Sequence, residues 1–236
     1  MMSAPVIDAE AMAEFLDKAE SMVSNADCEH WNRVLTLRSQ SVLMALRDPE
    51  QSLRVVPATA RINSEQKEIW REVEAPIREA VEKRPEEVID ILSRFGASPW
   101  LWEWGTFWLA NAFPEDYVWW SRWMYRPDTK TGSIALVVTD PGCLTVEPPL
   151  LYSQILQAGH FAEQVLEGWR RPSFIEPPFR HTVALAMVYA VYLFTLSSWR
   201  LTDEFTQVLP PFPKVVANLL GISRWEGYTV AKSKSH

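Results

Sequence analysis

The sequence predicts a mainly α fold: a multi-helix bundle that carries one small β-hairpin and a tryptophan-rich helical pair. Three observations lead there. Apolar residues recur at helical spacing through most of the chain. Helix start and stop residues bracket those runs. A single short stretch near residue 135 has the β-branched, turn-flanked character of strands.

Across 8–25, Met12, Phe15, Leu16, Ala19, Met22 and Val23 fall on one helical stripe. Across 63–83, Ile69, Val73, Ile77 and Val81 repeat it, and Asn63 with Gln66 has the spacing of a capping box. Pro85 suits the first turn of the following helix, and Gly96 suits its C-terminal stop. The mixed Glu and Arg on these helices reads as solvated surface.

The segment PWLWEWGTFWLANAFPEDYVWWSRW holds seven of the chain's twelve tryptophans. Ser98 and Pro99 start one helix; Pro114, Glu115 and Asp116 start a second, with the break near Phe113. On such a pair Trp104 and Trp108 share a face, as do Trp119 and Trp123, while Trp100, Trp102 and Trp120 point elsewhere. A helix apolar all round is either core or a surface that meets a partner or lipid. Indole is amphipathic and suits interfaces, so Trp100, Trp104, Trp108, Trp119 and Trp123 are the candidate partner-binding residues.

In TGSIALVVTDPGCLTVEPP, Ile134 to Val138 is β-branched and Asp140-Pro141-Gly142 is a turn sequence, which predicts a hairpin of 133–138 with 143–147. Helical spacing returns over 150–169. The proline-rich stretch at 171–181 is the best domain boundary, separating a helical domain at 1–170 from an apolar helix and tail at 182–236. From 182 to 199 run 18 uncharged residues between Arg180 and Arg200. That length reaches the threshold for a membrane span. The stretch either anchors the chain in a membrane or forms the core of the same domain.

Composition narrows the function. The net charge is −7, and residues 1–100 hold 18 acids against 12 bases. An acidic surface does not attract phosphate backbones over long range. The opening MMSAPVIDAEAMAEFLDK is acidic where a secretory leader needs basic residues, so a cytoplasmic setting with Cys28 and Cys143 as free thiols is expected. Asp27, Cys28, Glu29 and His30 are consecutive and cannot converge from a helix. His160 and Glu163 share a face, but no second copy of the pair exists. No metal or cofactor is expected, and no nucleophile elbow or phosphate-cradling loop gives positive support for catalysis.

The tail admits two readings. Val216, Ala217, Leu220, Gly221, Ile222 and Ser223 have the pattern of a helix-turn-helix over 213–234, in which Arg224, Lys232 and Lys234 would touch phosphates. Gly227 then falls inside the recognition helix, where a core residue is needed. The other reading starts from Leu209, Pro210, Pro213, Leu219 to Ser223, Tyr228 and Lys232. This order resembles the C-terminal part of a loose group of uncharacterised bacterial membrane proteins, over about 55 residues. The resemblance implies a location beside the cytoplasmic membrane and no reaction.

The function expected from the sequence is therefore a non-enzymatic interaction or regulatory role, with a protein partner or a membrane surface, through the tryptophan-rich face. A cytoplasmic DNA-binding regulator is the first alternative. An enzyme or small-molecule binder with a tryptophan-lined pocket is the second.

Overall fold

The computed structural model describes residues 5–48, 55–57, 63–96, 98–168, 176–199 and 210–225. Among these the backbone is helical in α1 (Ala9–Glu20), α2 (Asn25–Leu46), α3 (Ser64–Lys83), α4 (Glu87–Arg94), α5 (Pro99–Ala112), α6 (Ser133–Val137), α7 (Pro148–Gly168), α8 (Arg180–Trp199) and α9 (Phe212–Leu219). Side-chain caps set the starts of α1, α2 and α3. The Asp8 carboxylate accepts from the N–H groups of Glu10 and Ala11. Ser24 and Asp27 close a capping box that begins α2, so the apolar run of 8–25 breaks before Met22 and Val23. The Asn63–Gln66 box forms as its spacing predicts. Gly96, at φ +93°, ends the turn after α4.

Two helices organise the core. α5 is buried along 101–111 and receives α2, α3 and α4. α8 receives α1, α6, α7 and α9, and every side chain from Val183 to Val188 is 1% exposed or less. Helices before and after the proline-rich stretch thus share one core, while 171–175 itself lies outside the described residues. No helix among the described residues is long and apolar enough to cross a membrane. Of the two roles open to 182–199, core packing is the one seen.

The expected hairpin is absent. Ser133–Val137 is a short helix whose Ile134 and Val137 are fully buried, because β-branched residues favour packed surfaces as much as strands. The Asp140 carboxylate accepts from Gly142 N–H and sets a 3-10 turn at Pro141–Cys143 in place of a chain reversal. The segment that should have paired finds its partner in a side chain: Gln154 accepts from Thr145 N–H at 2.8 Å and donates to the Cys143 carbonyl at 2.7 Å. Val138 forms an isolated bridge with Ile7 instead.

The second tryptophan helix is also absent. After Phe113 the chain turns, and 117–121 is irregular. Its polar groups are met by side chains and by α5. Tyr152 donates to the Val118 carbonyl, Trp119 Nε1 donates to the Glu103 carbonyl, and Trp120 N–H donates to Thr106 Oγ1. These bonds hold the segment along α5 without a helical ladder.

Candidate functional site

A cleft of about 330 Å³ opens between the start of α5, the 120–128 turn and the start of α7. Pro99 opens α5, and Glu103, four residues on, lies on the same helix face; both line the cleft. Glu103 is only 6% exposed and is already engaged within the protein. Trp120 forms one wall. Its ring packs against Trp102 at 5.7 Å, and its indole N–H donates to the Tyr125 carbonyl at 3.0 Å. Tyr125 is buried beside it, and burial first, then the neighbouring Cys143, raises its phenol pKa, so it stays neutral.

The outer wall is a tight turn. Arg126 and Thr131 exchange backbone hydrogen bonds at 2.7 and 3.3 Å, and Gly132, at φ +134°, returns the chain to α6. Across this turn Arg126 pairs with Asp128 at 2.6 Å. Arg122 is exposed and has no ion-pair partner among the described residues. Ser121 is 2% exposed, and its Oγ has no hydrogen-bond partner. A buried hydroxyl left unsatisfied is uncommon and calls for an explanation.

The tryptophans expected to form a docking face lie elsewhere. Trp104 and Trp108 are fully buried and, as their spacing predicts, share a face: both pack edge-on to Trp70 at 4.9 Å. Trp100 is half-buried and continues this chain, 5.0 Å from Trp104. Trp119 is 3% exposed and packs on Phe107, and Trp123 is 9% exposed. Four of the five candidates are therefore core: Trp104 and Trp108 because α5 sits among three helices, Trp119 and Trp123 because the irregular segment after α5 folds back along it. The cleft uses Trp120, which helical-face reasoning passes over; the turn signal Pro127-Asp128 just after it is the local clue.

The basic candidates fare similarly. Arg224 donates to the Val56 carbonyl at 2.8 Å, while Lys232 and Lys234 lie outside the described residues. The string Leu219 to Ser223 ends α9 by a Schellman motif: Ile222 N–H donates to the Ala217 carbonyl, Gly221 N–H to Asn218, with Gly221 at φ +68°. Residues 223–225 begin another helical turn.

No group of three metal-ligating side chains forms among the described residues. Glu163 accepts from Arg180 Nε at 2.8 Å and does not converge with the exposed His160 on a metal. Burial, then Asp27 and Glu29, pushes the Cys28 thiol up to about 12, which makes it an unreactive core group. Compared with protein families, curated proteins and solved structures, the chain matches none.

Proposed function

We propose that this chain binds a small organic molecule in the cleft between α5, the 120–128 turn and α7. The observation that carries the reading is a preformed, mostly apolar cleft with Ser121 among its lining residues, the buried Oγ of that serine having no hydrogen-bond partner. Ligand sites combine mostly apolar walls with a few placed polar groups, and about 300 Å³ is the lower end of their usual size. A ligand oxygen or nitrogen would satisfy Ser121 Oγ, and rings would pack on Trp120 and Tyr125.

The docking and DNA-binding readings have less behind them. Four of the five docking tryptophans are buried, and Arg224 is bonded inside the fold.

Val146 lines the cleft yet is 63% exposed, so Val146→Trp fills the cleft without disturbing the core. A panel of one- and two-ring fragments, screened by ligand-observed NMR, is expected to yield binders to the natural protein that Val146→Trp weakens at least about tenfold. Binders indifferent to Val146→Trp, or no binders at all, would overturn the reading.

A further inference from the structure

We infer that the cleft's ligand is a ring-bearing carboxylate whose charged end meets Arg122 and Ser121; this rests on the reading of the cleft as a ligand site. Four charged side chains line it: Glu103, Arg122, Arg126 and Asp128. Two of them neutralise each other, since Asp128 accepts from both Nη2 and Nε of Arg126, at 2.6 and 3.3 Å. Glu103 is buried and engaged within the protein. Among the described residues the Arg122 guanidinium has no ion-pair partner, and the buried Oγ of its chain neighbour Ser121 has no hydrogen-bond partner.

The backbone favours the same sign. Pro99 is the first residue of α5 and Pro148 the first of α7, so two helices present their N-terminal ends to one cleft. The N-terminal end of a helix carries partial positive charge, which is what these two proline-opened ends, poor in free N–H groups, contribute. Glu147 precedes Pro148 but is exposed and does not line the cleft. Two helix ends alone define no site; the unpartnered, 2% exposed Ser121 on the same lining is the independent observation that points to a ligand.

The chemistry follows. A carboxylate takes two parallel N–H donors from a guanidinium and still accepts from a hydroxyl. A cation would meet only acids that already have partners. The rest of the lining, with Trp120, Tyr125, Pro127 and Val146, suits a flat apolar body.

The test uses three probes of one shape: 2-naphthoate, 2-naphthamide and 2-naphthylmethylammonium. Each is titrated against the natural protein, Arg122→Gln, Arg122→Lys and Val146→Trp. Naphthoate is expected to bind the natural protein about five- to tenfold more tightly than the amide, with the ammonium weakest. Arg122→Gln removes that preference while leaving the amide within about twofold, and Arg122→Lys keeps part of it. Added salt weakens only the naphthoate. Equal binding of the three probes, or a preference that survives Arg122→Gln, overturns the carboxylate assignment and leaves the cleft standing. Binding untouched by Val146→Trp, or no binding by any probe, overturns both.

Discussion

The guanidinium of Arg38 donates to the backbone carbonyl of Leu220, so a buried cation on α2 closes the C-terminal end of α9. The same group donates to Asn111 Oδ1 at 2.8 Å and lies over the rings of Phe107 and Trp119. Burial lowers its pKa to about 9, which leaves it charged at neutral pH. The negative end of a helix is a favourable place for that charge. Arg38 therefore joins α2, α5 and α9 at one point.

Arg38→Met keeps the apolar stem and leaves two buried acceptors unpaired. The expected loss is about 2–4 kcal/mol in urea unfolding, with faster hydrogen exchange over 212–225 than elsewhere in the chain. A loss under about 0.5 kcal/mol, or uniform exchange, would contradict the role given to Arg38.

Gln154 stands in for a strand, meeting both Thr145 N–H and the Cys143 carbonyl. Gln154→Leu preserves bulk and leaves both groups unpaired, for an expected loss of about 1–2 kcal/mol. Gln154→Glu keeps the acceptor for Thr145 but turns an anion toward the Cys143 carbonyl. Protonation restores the donor, and the buried anion binds its proton more tightly than in the unfolded chain, so its deficit relative to the natural protein should shrink as pH falls toward about 4.3 and stay constant below it. A deficit that does not change with pH argues against this pairing.

His181 is 4% exposed, and its Nε2 has no hydrogen-bond partner. Burial first, then the charges of His160 and Arg180, lowers its pKa from 6.5 to about 4. Glu163 Oε2 lies 3.8 Å from Nδ1, but that carboxylate is held by Arg180, with Glu167 a further 3.5 Å neighbour of the same arginine. The unfolded chain takes up a proton near pH 6.5 that the folded chain refuses until about 4. Stability is therefore complete above 6.5 and falls as pH drops through that window, by up to about 3 kcal/mol. His181→Gln should lose that part of the acid sensitivity between pH 7 and pH 4.5; parallel losses in both proteins would contradict it.

Gly132 sits where a side chain has no room. A Cβ there would lie 2.5 Å from the Met124 carbonyl oxygen and 2.7 Å from Tyr125 Cα, at a φ of +134°. Gly132→Ala is expected to cost at least about 2 kcal/mol and to weaken naphthoate binding, because the turn carries Arg126 to Asp128 into the cleft. Gly168→Ala, with open space around its Cβ, is the control and should change stability by less than about 1 kcal/mol.

How much of this was legible in the sequence follows from the range of the interactions. Asn63 with Gln66, and Pro99 at the first position of α5, act within one turn, so their helices could be read directly; Ser98 makes no side-chain cap. The hairpin could not, because the group that replaces its second strand lies nine and eleven residues away on α7. Arg38 was unreadable for a stronger form of the same reason: its acceptors lie 73 and 182 residues downstream. Tryptophan density marks 100–123 as special, but the shared faces of Trp119 and Trp123 require a second helix where the chain is irregular. The irregular segment that replaced it buries Trp119 and turns Trp120 to the cleft. The Leu219 to Ser223 string, which carries the resemblance to membrane-protein tails, ends α9 as a local helix stop. Residues 226–236, including Lys232 and Lys234, lie outside the described residues.

The most direct test of the cleft uses the tryptophans as reporters. Indole N–H resonances, assigned by single Trp→Phe changes, are followed by nitrogen–proton correlation NMR while 2-naphthoate is added. Trp120 lines the cleft, whereas Trp70 and Trp108 are packed together between α3 and α5. A saturable shift of the Trp120 indole resonance is expected, lost in Val146→Trp, with Trp70 and Trp108 unmoved. A shift centred on Trp70 or Trp108, or no shift at Trp120 at millimolar naphthoate, would contradict it.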